Sequence, residues 1–350
     1  MIKMKKRNKS LLIILSVAIL FLFSLVANAE EKEYYTVVSE DDEIIFKTGN
    51  IVSVGDVYIN EANNKFKVIE VDQNNKKAVA SFEKKVDLVE EDEKALALSP
   101  IFLAESDNKT VAIYNTHTDE SYKPTSGEES EPGSGDIIDI AIQFANKLEE
   151  RGVNVIHDQS RHDPHDGGAY ERSRRTAEQL AEKSPDAILD IHRDGVPDPE
   201  EYTTEIDGEQ VSQIKFVIGR QNPQMESNDQ FARYYKQVAD EQYPGLVKGI
   251  HYANGKYNQD LHPRSLLIEK GTYTQSKEFV EGSVAKSADT FVEMLGRLEG
   301  QEGAGGGSNL ARNIFLLLIF VFGGGFLLLV ANERGFKGAV AKIKSFFDFA

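Results

Sequence analysis

The chain has 350 residues, 57 acidic against 40 basic, giving a formal net charge of -17, and it has no cysteine. That charge balance argues against nucleic acid as a partner, because a phosphate backbone needs a basic footprint. Without thiols there are no disulfide staples, thiolate metal sites or cysteine nucleophiles, so any zinc site must use imidazoles and carboxylates, the catalytic rather than the structural donor set.

Residues 1–29 open with Lys3, Lys5, Lys6, Arg7 and Lys9, continue as an apolar run from Leu11 to Val26, and end in the small-x-small sequence Ala27-Asn28-Ala29. This stretch is expected to be a signal peptide or an N-terminal membrane anchor. In either form the basic end stays in the cytoplasm and the bulk of the chain crosses the membrane. Residues 31–98 hold short alternating segments, at 34–38, 44–46, 56–59, 65–69 and 77–82, separated by turn signals such as Thr48-Gly49-Asn50 and Asn74-Asn75. They predict a small antiparallel β-domain followed by an acidic connector. With no histidine and no cluster of polar groups, this region reads as a spacer or protein-binding module.

From residue 100 to 299, apolar strands alternate with amphipathic helices. That is the pattern of an α/β fold with a mostly parallel sheet and helices on both faces. Strands are expected at 111–114, 153–156, 187–191, 214–218 and 265–268, and helices at 136–151, 170–183, 225–243 and 275–298. Residues 300–312 form a Gly-rich flexible linker. Residues 313–331 are a second uncharged apolar run, just long enough to span a membrane as a helix. Arg334, Lys337, Lys342 and Lys344 follow it. By the positive-inside rule the tail, 332–350, is cytoplasmic, and the folded middle of the chain faces outward.

Three of the expected strands end at reactive groups. The first runs into Asn115-Thr116-His117-Thr118-Asp119-Glu120, the second into His192-Arg193-Asp194, and the third into Glu269-Lys270-Gly271. In a mostly parallel sheet such ends open at one edge, so sequence distance between them does not matter. Catalytic zinc needs three protein ligands, one position open to water, and a further carboxylate as base. His117, His192 and Glu269 are therefore expected to converge on one zinc ion. The remaining carboxylate comes from the loop after the first strand, either Glu120 or Glu131. Plainer readings exist for each residue alone: Glu269 capping a turn with Gly271, or Arg193-Asp194 as a surface ion pair. The stretch His157 to Asp166, with His162 and His165, is a rival metal cluster whose Pro and Gly content reads as a solvated loop.

These motifs resemble those of the stage II sporulation protein P family, which is related to the zinc-dependent N-acetylmuramoyl-L-alanine amidases. The resemblance rests on Ile113 to Tyr122, Leu189 to Asp194 and His262 to Glu269, in order over residues 100–298. It departs from the usual sporulation pattern at Asn115, where a His is common. It implies that His117 and His192 bind zinc and that Glu269 is the catalytic carboxylate. Glu120 is the third ligand, or Glu131 if the broader amidases are followed. The implied activity is cleavage of the bond between N-acetylmuramic acid and L-alanine in peptidoglycan during septal thinning and engulfment. Peptide cross-links are a further target in some members. The implied surroundings are a membrane and sporulation partner proteins, including a lytic transglycosylase. From its position beside His192, Arg193 is expected to bind a stem-peptide carboxylate as a fork. Two other readings stay open, a different zinc peptidase acting on stem peptides and a non-catalytic wall-binding scaffold.

Overall fold

The computed structural model describes residues 34–88 and 109–298. The two apolar segments at 1–29 and 313–331, the Gly-rich linker and the basic tail lie outside those residues. Among the described residues no helix is long and apolar enough to cross a membrane. The described residues up to 292 belong to one compact unit.

The N-terminal segment supplies β1 (Tyr35–Val38), β2 (Ile44–Thr48), β3 (Val57–Asn60), β4 (Asn64–Asp72) and β5 (Lys77–Lys85). The rest of the chain supplies β6 (Thr110–Tyr114), β7 (Asn154–His157), β8 (Ala187–Asp194), β11 (Ile214–Gly219), β12 (Val247–Ala253) and β13 (Ser265–Thr272). A small separate hairpin is made by β9 (Thr203–Ile206) and β10 (Glu209–Ser212). The eleven other strands form one sheet in the order β2-β1-β5-β4-β3-β12-β11-β13-β8-β6-β7.

The sheet is mixed, which corrects the expectation of a mostly parallel one. Strands β7, β6, β8 and β13 run parallel. The next strand, β11, reverses against β13, and β3 is antiparallel to β12. That last pairing joins the N-terminal strands to the main sheet, with Ile59 opposite Ile250 and Tyr58 opposite His251. The N-terminal strands also bury a core of their own, in which Phe46 stacks on Tyr58 at 4.0 Å.

Helices lie on both faces. The Asp136–Glu149 helix buries Ile137, Ile140, Ala141, Phe144 and Leu148, the stripe its 3.6-residue period dictates. It shares one face with Met225–Gln242 and with the helix that starts at residue 277; Phe144 and Tyr235 both meet Phe291 there. The Ala169–Ala181 helix covers the opposite face, packing Ala177 and Leu180 against Ala112, Tyr114 and Ile188. Covered on both sides, β8 and β13 are buried at every position, as central strands of an α/β layer must be.

Candidate metal centre

Alternation along β8 sets the site. Ile188, Asp190, His192 and Asp194 are two residues apart and so share one face, the face under the Ala169–Ala181 helix. Parallel register places Glu269 of β13 beside His192, and Asp190 beside Leu267. Strand β6 ends at Tyr114, opposite Asp190, and His117 lies beyond it with its ring 5.0 Å from that of His192 and nearly perpendicular to it.

Glu120 reaches this point because the loop after β6 folds back on itself. Glu120 bridges Ser130, and the Glu131 amide donates to the Asp119 carbonyl at 2.7 Å. Gly135 then packs against the backbone of residues 118–120 so closely that a Cβ there would meet three of its atoms at 2.6 Å. The buried Glu120 carboxylate accepts the Arg193 amide at 3.0 Å and lies 3.2 Å from His117 Nδ1 and 3.4 Å from His192 Nδ1. His117, Glu120 and His192 each offer a ligand atom, all within 4.8 Å of one another; among the described residues they are the group that does so. Two imidazoles and a carboxylate on a buried rim fit zinc by donor type and number. Behind His192, Asp190 Oδ1 is 3.0 Å from Nε2 but off a hydrogen-bonding line, so that ring nitrogen has no aligned partner. Asp190 is itself held by the amide and hydroxyl of Thr116 at 2.8 and 2.7 Å. Asp190 thus keeps a negative charge behind the His192 ring.

The charges at the centre are unusual. Burial works to raise the Glu120 carboxyl, but the neighbouring imidazoles and Arg193 outweigh it and hold it well below its ordinary range. Burial likewise works against a charged His192, yet Asp190 and Glu120 lift its pKa well above the ordinary value. Burial lowers His117. A proton on His192 thus stands where a divalent cation would place its charge, and uptake of the cation would release it.

Glu269 is buried, and burial, reinforced by the nearby Asp194, raises its pKa to about 7. Its Oε1 accepts from Asn50 Nδ2 at 3.1 Å, while its Oε2 has no hydrogen-bond partner. Asn50 comes from the N-terminal segment, which by sequence reads as a spacer or protein-binding module. The loop after β2 is tied into the site by Asp194: Oδ1 accepts from the Gly49 and Gly195 amides at 2.7 and 2.8 Å, and Oδ2 accepts from Tyr202 at 2.7 Å and from the fully buried Lys215. Lys215 also donates to Thr48 at 2.9 Å. Gly49, Asn50, Ile51 and Ser53 therefore form one wall of an open cleft of about 490 Å³ that contains His117, Glu120, His192 and Glu269.

Other residues singled out by sequence occupy different places. Glu131 is half-buried, bonded through its backbone and outside the three-residue group. Arg193 donates through Nε to the Ser121 carbonyl at 3.4 Å and through Nη2 to that of Glu129 at 2.7 Å, so it braces the loop that carries Glu120. Asp194 is buried against Lys215, not paired on the surface with Arg193. The His157–Asp166 stretch separates. His162 is buried, bonded to the Asn115 carbonyl and to Thr176, and ties its loop to the end of β6. His165 lines the cleft, 4.0 Å ring to ring from His117 and 3.4 Å from Asp119. Sequence reasoning passed over Asp190 and Asn50. The period of two along β8 was a usable signal for Asp190; for Asn50 there was none.

Comparison with known proteins adds four matches. A family model described as stage II sporulation protein P (SpoIIP) matches residues 29–292. The stage II sporulation protein P of Bacillus subtilis (strain 168) is 30% identical over 219 residues, 57% of this chain and 54% of that protein, so the match spans about half of that relative's length. Among solved structures, an N-acetylmuramoyl-L-alanine amidase from Clostridium difficile 630 aligns at 16% identity with a TM-score of 0.34, covering 56% of this chain and 97% of its own. The CwlD amidase from Clostridioides difficile, in complex with the GerS lipoprotein, aligns at 14% identity with a TM-score of 0.36, covering 54% and 99%.

Proposed function

Since the chain belongs to the stage II sporulation protein P family, we propose that it is a zinc-dependent peptidoglycan hydrolase, an N-acetylmuramoyl-L-alanine amidase acting in cell-wall remodelling during sporulation. The observation that carries this reading is the meeting of His117, Glu120 and His192 beside a buried carboxylate, Glu269, with one oxygen left unpartnered.

His117, Glu120 and His192 would hold the zinc, and the ion supplies Lewis-acid polarisation of the scissile carbonyl and a more acidic water. Glu269 does the proton work. With a pKa raised to about 7 it can accept a proton from the attacking water and return it to the departing amine near neutral pH. In that hydrolysis the lactyl carbonyl–nitrogen bond breaks, water's oxygen stays on the lactyl carbon, and the L-alanine amine leaves carrying the proton. Asp190 keeps a negative charge beside the His192 ring, and Arg193 holds the loop of Glu120. The open cleft suits a polymeric substrate, which must lie across the site rather than enter it. Tethering of the chain to a membrane, with the cleft outside the cytoplasm, belongs to the same reading, because a tether raises the local concentration of enzyme at an insoluble wall.

Digestion of purified sacculi with and without chelator, followed by mass analysis, tests the proposal. Released stem peptides that begin with L-alanine, and loss of release when zinc is stripped, are expected. Peptides cut internally, with the muramoyl bond intact, would replace the amidase by a peptidase.

A further inference from the structure

The N-terminal strands bring one side chain into contact with the proposed base, and the surrounding bonds make that contact hard to move. The loop after β2 is anchored on both sides of Asn50. Before it, Thr48 receives Lys215 and the Gly49 amide is bound by Asp194. Gly49 also lies so close to Gly195 that a Cβ on it would sit 2.8 Å from the Gly195 Cα. After it, the Ser53 amide donates to Asp56 at 2.8 Å, and Asp56 is fully buried under Arg220, which donates to it at 3.0 Å through Nε. The Asn50 amide itself donates to Thr48 Oγ1 at 3.2 Å.

From this rigid loop Asn50 offers one N–H to Glu269 Oε1, and the other oxygen of Glu269 is buried with no partner. A carboxylate free to rotate would present either oxygen, or neither, to the substrate. Held by one oxygen, it presents the other in one direction. We infer that Asn50 is a positioning residue: by holding Oε1 of Glu269 it fixes the direction of the partnerless Oε2, which makes the N-terminal β segment part of the catalytic centre. This rests on the hydrolase reading for its consequence in turnover, and on the Asn50–Glu269 contact itself for its geometry.

Two measurements on the full chain test it. On a soluble muramoyl peptide, Asn50→Ala and the isosteric Asn50→Asp, which has no N–H to give, are expected to lower kcat about 10- to 100-fold, the scale of a misplaced catalytic group. KM and zinc content are expected to stay within twofold of wild type. Wild-type kcat in Asn50→Asp, or a rise in KM at unchanged kcat, would overturn the assignment, the latter by making Asn50 a substrate contact. The second measurement needs no substrate. In zinc-stripped protein, the changes in stability from Asn50→Ala and Glu269→Ala are expected to be non-additive in the double variant. Additive changes would overturn the inference. If the wild-type chain leaves muramoyl peptides intact, the amidase reading fails, and the thermal cycle alone decides whether Asn50 holds Glu269.

Discussion

Two parts of the molecule meet at the cleft, and different forces hold them there. The ends of β6, β8 and β13 are placed by a backbone ladder: His192 and Glu269 are neighbours because their strands are in register. The loop after β2 is placed by side chains, chiefly by Asp194, which gathers Gly49, Gly195, Tyr202 and Lys215 around one carboxylate. A ladder spreads the task over many backbone bonds, so a single side-chain change at a strand end alters chemistry more than position. A loop held by one buried ion concentrates the task. The strand ends should therefore tolerate substitution structurally and fail functionally, whereas the loop's anchors should fail structurally first.

Removing the Asp194 carboxylate should have the largest structural effect. Asp194→Ala leaves Lys215 buried without an acid, a loss of about 3–5 kcal/mol, read as a lower denaturant midpoint. Burial would raise the Asp194 pKa, but Lys215 more than offsets this and lowers it. Its contribution is therefore present above the unfolded carboxyl's pKa, near 3.8, and is lost as pH falls through the still lower folded value. Acid unfolding that is unchanged in the variant would show that the pair does not anchor the loop.

At the strand end the sign reverses. Glu269 has its pKa raised from 4.5 to about 7, so the folded state binds the extra proton between those values and stability falls as pH rises through that window. In zinc-stripped protein Glu269→Gln should therefore be the more stable form at pH 8, by up to about 3 kcal/mol, with little difference at pH 4. Equal melting temperatures at pH 8 would mean that the carboxylate is better solvated than its burial implies.

A smaller effect should follow from Gly49→Ala, whose new methyl would press on Gly195. Overpacking of this kind costs about 1–3 kcal/mol. Turnover should fall while zinc content holds, because the loop shifts and His117, Glu120 and His192 do not. Loss of zinc in this variant would show that loop and ladder are not independent.

The two parts were also unequally legible. The runs before His117, His192 and Glu269 are short, apolar and end at polar clusters, so the strands and their shared edge could be read directly. Glu120 and Glu131 could not be told apart, because what selects Glu120 is a fold-back of the loop, closed by Gly135 at a helix start. Strand β12 was missed: Gly249 and His251 interrupt its apolar run. It is the strand that pairs with β3, so without it the N-terminal strands read as a separate module and the sheet as mostly parallel. Asn50 sits in what looks like an ordinary turn, Thr48-Gly49-Asn50, and nothing local distinguishes a turn that faces solvent from one docked on a distant carboxylate.

The most direct test of the account compares zinc content and turnover in three proteins: wild type, His192→Ala and Glu269→Gln. The expected result is one zinc per chain and cleavage of the muramoyl amide in wild type, neither in His192→Ala, and full zinc with turnover reduced by about 10²–10⁴ in Glu269→Gln. Full zinc in His192→Ala, or wild-type turnover in Glu269→Gln, would contradict it.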